Sequence, residues 1–276
     1  MGYARLSSGR TTLIADAAPP PSGPHSADAH ASTLGFELTS GRRPVIVNCG
    51  SGRRFGLNWR RASRATPSHS TMMIDGVSSS HLDARASGYG QHEYLVEVPG
   101  HVRCNTHTLD DGRKLEMSHN GYQASHGLTH ARTLSLSVDG RTLTGEDILT
   151  TLSQGDQDQL ARVLHSSVET GIPYTIRFHL HPDVTAEIFA DGSAVALRLK
   201  SGEIWVFQHD GTAKMALSAS VYLQNGRLKP RATQQVVLSG HALAYATRVR
   251  WSLAKAQDTP AHMRDLALAD LPDLTE

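Results

Sequence analysis

The side chains best suited to chemistry are histidines at the edges of strand-like segments. His30 lies in Asp28-Ala29-His30-Ala31-Ser32-Thr33, just ahead of a run in which Leu34, Phe36 and Leu38 alternate with Gly35 and Glu37. That period of two marks a half-buried strand, with His30 at or just before its start. Pro44-Val45-Ile46-Val47-Asn48-Cys49-Gly50 reads as a buried strand ending in a polar residue and a turn. Residues 64–71 then bring His69 to the entry of a further strand at 71–74. A metal ion needs two to four donor atoms converging from different elements, typically imidazole and carboxylate for zinc. His30, Asn48 and His69 offer such a set. Spacing alone leaves the two imidazoles open to being surface or core histidines, in a chain that holds 16.

Three other groups carry chemistry. Arg53, Arg54, Arg60, Arg61 and Arg64 crowd one segment, and guanidinium pairs carboxylate or sulfate through two parallel hydrogen bonds. They suit contact with an acidic ligand group, or a solvated loop. His179 and His181 alternate on a strand and so share a face, which fits solvent or an adjoining domain as well as a site. In Ser118-His119-Asn120-Gly121-Tyr122 and His130-Ala131-Arg132, the bland reading is a turn, a packed tyrosine and a strand face.

The elements that must position these residues are strands. Short alternating segments recur from residue 94 to 253, separated by Asp139-Gly140, Asp191-Gly192, Asp210-Gly211 and Asn225-Gly226. Asp-Gly and Asn-Gly tolerate positive φ at both centres of a type I′ turn. The expectation is one all-β antiparallel sandwich of two packed sheets over residues 1–255, followed by a polar tail at 256–276. Helical spacing is confined to 156–168, with Asp156 as a candidate N-cap, and a short tail helix at 262–268. Residues 53–68 read as an irregular excursion. Cys49 and Cys104 are too few for a disulfide framework and read as buried or partly buried free thiols, pairing being the alternative.

At 276 residues the chain can bury a substantial core. A net charge of +1 offers no global attraction to nucleic acid or an acidic membrane. No apolar run is long enough to span a membrane, and the first residues show no secretory h-region.

The quoted runs resemble the C-terminal domain of the heparinase II/III family of polysaccharide lyases. That family carries His-x-His-Ala-Asp-x-Leu-Ser-Phe-Glu, an apolar strand ending Asp-x-Gly, and Arg-x-Thr-x-x-His-Asn-Thr before a strand closing Asp-Gly. The likeness continues, in order, through Ser118-His119-Asn120-Gly121-Tyr122, Gly127-Leu128-Thr129-His130-Ala131-Arg132 and Arg177-Phe178-His179-Leu180-His181-Pro182. It implies β-elimination at a uronic acid, an acidic polysaccharide as partner, and a cell-envelope or periplasmic setting; without a leader in this sequence a cytoplasmic one stays open. Asp28 stands where the family has the first histidine of His-x-His, and Asn48 where it has an aspartate ligand. The resemblance therefore assigns Asp28, His119 and Tyr122 to catalysis, and Arg61, Arg64, His130 and Arg132 to substrate. It gives His30, Asn48 and His69 to a zinc site weakened by the uncharged Asn48. The family's catalytic base comes from an N-terminal helical α/α toroid that this sequence does not resemble, so the chain is expected to be inactive alone. The alternatives are a non-catalytic carbohydrate-binding or structural module, and a jelly-roll metal enzyme unrelated to lyases.

Overall fold

Nearly all of the period-two alternation resolves into strands. A computed structural model describes residues 2–21, 23–87, 90–166 and 171–256. In chain order the strands are β1 (Tyr3–Ser8), β2 (Thr11–Asp16), β3 (Phe36–Ser40), β4 (Arg43–Val47), β5 (Met72–Ile74), β6 (His81–Ser87), β7 (Gly90–Val96), β8 (Val102–Leu109) and β9 (Gly112–Tyr122). Then come β10 (Leu128–Ser137), β11 (Thr142–Thr150), β12 (Ile172–Leu180), β13 (Val184–Ile188), β14 (Ala194–Leu199), β15 (Ile204–His209), β16 (Lys214–Tyr222), β17 (Arg231–Ala242) and β18 (Ala246–Lys255). The helices are α1 (Leu57–Arg64), α2 (Gln123–His126) and α3 (Gln154–Ser166).

The first sheet has eight strands, running β1-β2-β3-β4-β12-β17-β16 with β5 beside β12. The second also has eight, in the order β13-β14-β15-β18-β11-β10-β9-β8, while β6 and β7 form a separate hairpin. This is the expected all-β sandwich. Aromatic rings join the two sheets: Phe36 and Phe178 from the first, Phe207 and Trp251 from the second. Trp251 stacks on Phe36 at 5.7 Å and meets Phe178 edge-on at 4.7 Å. Gly145, opposite Trp251 on the neighbouring strand, makes room for the indole, since a Cβ there would lie 2.1 Å from its ring.

Several local expectations are revised. Asp139, Asp191 and Asp210 do not take positive φ; only the following glycine does. Each aspartate instead accepts the N–H two residues on, as in Arg141 N to Asp139 Oδ1 at 2.9 Å, so these are Asx turns rather than type I′. Leu34 lies outside β3, in the left-handed region at φ 63°. The 53–68 excursion contains α1, whose buried residues are Ser63 and Arg64; with no apolar stripe, the sequence gives no helical signal. The cap of α3 is Ser153, not Asp156. Ser153 Oγ accepts the Asp156 N–H while Asp156 Oδ2 accepts the Ser153 N–H, a reciprocal capping box. Cys49 and Cys104 are both free, and Cys104 is exposed on the outermost strand of its sheet. The tail helix expected at 262–268 lies outside the described residues.

One buried polar chain crosses the core. Asp147 on β11 is 0 % exposed and accepts four hydrogen bonds. They come from His130 Nε2 (2.7 Å), Arg132 Nε (2.7 Å), Arg132 Nη2 (3.1 Å) and Trp251 Nε1 (2.9 Å). Arg132 Nη1 reaches across to the carbonyls of Leu34 (2.9 Å) and Ser70 (2.8 Å). The Gly121 N–H donates to His119 Nδ1. His119 Nε2 must therefore carry the proton shared with His130 Nδ1 at 3.3 Å, which leaves His130 Nε2–H for Asp147. Burial alone would raise the Asp147 carboxyl, but Arg132 and His130 hold it well below the usual carboxylate range.

These imidazoles are neutral in the fold. Burial holds His119 and His130 below the ordinary value of 6.5, and His179 at about 4. The unfolded chain therefore binds more protons than the folded one below pH 6.5, so their contribution to stability is present above that pH and lost as the pH falls. His179 alone should remove on the order of 3 kcal/mol between pH 6.5 and 4. Urea midpoints should fall steadily across this window, and an additional His179→Asn substitution should flatten the fall.

Candidate functional site

The first sheet splits at β12. β4 pairs with its C-terminal end (His179 and Leu180), β5 with its N-terminal part (Tyr174 to Ile176). The chain between them leaves at Asn48, runs through α1, and returns at His69. α1 is tied to the loop ahead of β3. Arg64 Nε donates to the Ala29 carbonyl (2.8 Å), the Ala31 N–H to the Arg64 carbonyl (2.8 Å), and Thr66 Oγ1 to the Ala31 carbonyl (2.8 Å). His30 is thus held between two anchored residues. His69 is fixed by its neighbour Ser70, which accepts from His179 N and Arg132 Nη1 and donates to the Val47 carbonyl and Asn48 Oδ1.

His30 and His69 meet. His30 Nδ1 lies 3.2 Å from His69 Nε2, and their rings are 5.1 Å apart. Both line an open cleft of about 450 Å³ with Tyr3, Asp16, Asp28 and Glu37; Asn48 is also in its wall. Gly35 lies below, where a Cβ would press on the Ser32 carbonyl at 2.8 Å. Burial, then Arg64, lowers His30 to about 4, and burial holds His69 well below the ordinary value. Both are neutral near pH 7.

Two tetrahedral zinc ligands at roughly 2.0–2.1 Å from the metal sit about 3.3 Å apart, so the imidazole pair fits two zinc positions. The third donor fits less well. Asn48 Oδ1 already accepts the Ser70 N–H at 2.9 Å, and the amide brings no charge. Among the described residues no three His, Cys, Asp or Glu side chains are grouped to hold a metal. The donor set suits a weak cation site, and no chemical step below depends on a metal.

The remaining expected site residues separate into two groups. Asp28 lines the cleft, its carboxylate held by Arg60 at 3.0 Å and Arg53 at 3.4 Å. Arg61 is exposed beside Glu93 at 3.3 Å, outside the cleft wall. The others are sealed inside. Tyr122 is 0 % exposed, donates to the Met72 carbonyl at 3.1 Å, and is raised far above a phenol's usual range by burial. His119, His130 and Arg132 belong to the Asp147 chain. Arg64 spends its guanidinium on three backbone carbonyls, those of Ser26, Ala29 and Glu93. The expected contact of these five with substrate is therefore corrected: no ligand reaches them without opening the core. Tyr3, Asp16 and Glu37 were missed. Their signal was pairing register, since Tyr3 faces Asp16 across β1–β2 and Ile14 faces Glu37 across β2–β3.

Fold and cleft define a large antiparallel β-sandwich with an imidazole pair at a split in one sheet. Residues 1–252 match the family described as heparinase II/III-like, C-terminal, and the chain belongs to that family. It is 32 % identical over 258 residues to FtsZ-localized protein C of Caulobacter vibrioides, covering 93 % of this chain and 42 % of that protein. Among solved structures, a mutant of the heparan sulfate lyase HepC from Pedobacter heparinus superposes with a TM-score of 0.66 at 15 % identity, over 94 % of this chain and 36 % of that one. Heparinase III does so at 0.64 and 14 % identity, over 92 % and 35 %. The chain thus spans well under half the length of these relatives. Among the described residues no helix is long and apolar enough to cross a membrane.

Zinc titration followed by calorimetry should show weak binding to the chain. Asn48→Asp, which supplies the missing charge, should tighten it at least tenfold, and His69→Ala should abolish it.

Proposed function

We propose that this chain is the β-sandwich half of a heparinase-like polysaccharide lyase, acting in the cell envelope on a uronate-containing glycan and lacking turnover by itself. In β-elimination a base removes the C5 proton of the uronate, a C4–C5 double bond forms, the C4–oxygen bond breaks, and the departing oxygen takes a proton. The step needs a neutralised carboxylate, a base and an acid. The observation that carries the reading is the contrast between the sealed residues and the open cleft. Tyr122, His119, His130 and Arg132 are locked in the core, while His30 and the more deeply buried His69 line the cleft. At about 4, His30 is a weak base at neutral pH, suited to hydrogen-bonding a sugar rather than to taking the C5 proton. Asp28 acts as a positioning residue that aims Arg53 and Arg60 along the rim, where a uronate carboxylate would pass. The base belongs to a helical domain joined to this one.

A second reading has its own support. The identity with FtsZ-localized protein C is about twice that with the lyase structures, which favours a non-catalytic structural or carbohydrate-binding module near the division machinery.

Ultraviolet absorbance of the unsaturated product separates the two. The isolated chain should show no turnover on heparan sulfate or alginate. A protein joining it to its helical domain should turn over one uronate polymer, with His30→Ala raising KM about tenfold through the lost hydrogen bond to the sugar. Turnover by the isolated chain would overturn the half-site. No turnover by the joined protein, with co-sedimentation on FtsZ filaments, would establish the second reading.

A further inference from the structure

Away from the cleft, one edge of the second sheet is left with unused bonding capacity. β8 ends that sheet beside β9, and every residue from Arg103 to Leu109 is exposed. Cys104 and Thr106 lie opposite Met117 and Leu115 and share their face, yet they are exposed where Met117 and Leu115 are buried. The backbone is equally open. The Asn120 N–H donates to the His101 carbonyl directly across from it, which makes the two a hydrogen-bonded pair. By alternation Arg103, Asn105 and His107 bond to β9. Val102, Cys104, Thr106 and Thr108 turn their N–H and C=O groups outward, where the sheet has no further strand among the described residues.

Exposed edges are usually blunted by proline, lysine, a bulge or short length. β8 uses none of these: it has 8 residues without proline or lysine, and its register with β9 is unbroken from Val102 to Leu109. By contrast β13 has 5 residues, and β16 carries Lys214 and is continued by a bridge between Gly50 and Leu223. Charge selects the strand that fits. Arg103 has no hydrogen bond or ion pair among the described residues, and Glu116, across from Asn105 on the same face, is 41 % exposed at its side chain. A second β8, antiparallel and with Cys104 opposite the partner's Cys104, sets Arg103 beside the partner's Asn105 and in line with the partner's Glu116. Other registers lose this. Centred on Asn105, Arg103 would face the partner's His107, which lies beside Lys114; centred on Thr106, it would face the partner's Leu109.

We infer that β8 pairs with the β8 of a second copy of this chain, antiparallel and centred on Cys104, so that two second sheets join across a two-fold axis. Val102 then pairs with the partner's Thr106 and Cys104 with the partner's Cys104, for about six backbone hydrogen bonds. Opposite residues of such a pair have Cα atoms about 5.5 Å apart, within the range a disulfide spans, so the thiols report the pairing without being needed for it. A strand edge buries less area than a standard interface, which makes the pairing weak and concentration-dependent. It makes no use of the glycan site.

The test is diamide oxidation, which takes two protons and two electrons from a pair of thiols and leaves one disulfide. Mass spectrometry of the oxidised chain should find a dimer linked through Cys104, with the buried Cys49 unlinked. Thr106→Pro removes an outward N–H that β9 does not use, and should slow linkage at least tenfold while circular dichroism stays unchanged. To fix the register, Val102→Cys and Thr106→Cys are each combined with Cys104→Ala, and the two proteins are mixed. Oxidation should give the mixed dimer at least tenfold over either homodimer. Equal yields of the three dimers, the mark of random collision, would overturn the inference. So would linkage of the Thr106→Pro variant at the parent rate, or no dimer at all.

Discussion

The Asp147–Arg132 ion pair is the constraint on which the rest depends. Burying a carboxylate and a guanidinium costs several kcal/mol per ion unless every polar atom finds a partner. Here the partners come from both sheets. Asp147, Arg132, His130 and Trp251 belong to the second sheet, while the Leu34 and Ser70 carbonyls lie at the edge of the first. The pair is satisfied only when the sheets are docked in one arrangement. It also explains local features that make little sense alone. Leu34 takes a left-handed conformation that turns its carbonyl to Arg132 while its N–H donates to the Asp16 carbonyl, and Ser70 is held tightly enough to aim His69.

The molecule thereby keeps two polar systems apart. One is internal, fully bonded and neutral or paired throughout, running from Gly121 through His119 and His130 to Asp147. The other is the cleft of His30, His69, Asp16 and Glu37, open and with bonding capacity left over. The first resembles a catalytic constellation in residue type, with histidine, tyrosine, arginine and aspartate in contact. Burial makes it a clamp. Perturbed titration marks both systems, so it is access and unfilled hydrogen-bonding capacity that tell them apart.

The sandwich was legible because alternation and turn residues report strand and edge locally. The meeting of His30 with His69 was legible only through the family's order of ligand positions, since strand-end spacing alone left both imidazoles open to other roles. β9 was not, because its inward positions run Leu115, Met117, His119, and a histidine on the apolar side disguises the alternation. Asp147 shares the inward parity of Leu143 and Leu149 on β11, so its burial was readable in principle; its partners were not, since they depend on which strands become neighbours. Tyr3, Asp16 and Glu37 share that difficulty. They form a wall only after β1, β2 and β3 pair in register.

A double-mutant cycle on Asp147 and Arg132 reads the central constraint directly. Asp147→Asn and Arg132→Met should each lower unfolding free energy by about 3–5 kcal/mol, because each strands the other charge in the core. The double variant should lose far less than the sum, with a coupling energy above about 2 kcal/mol. In either single variant that still folds, the His69 imidazole resonances should shift as Ser70 loosens. Small additive losses with unshifted His69 resonances would contradict the account.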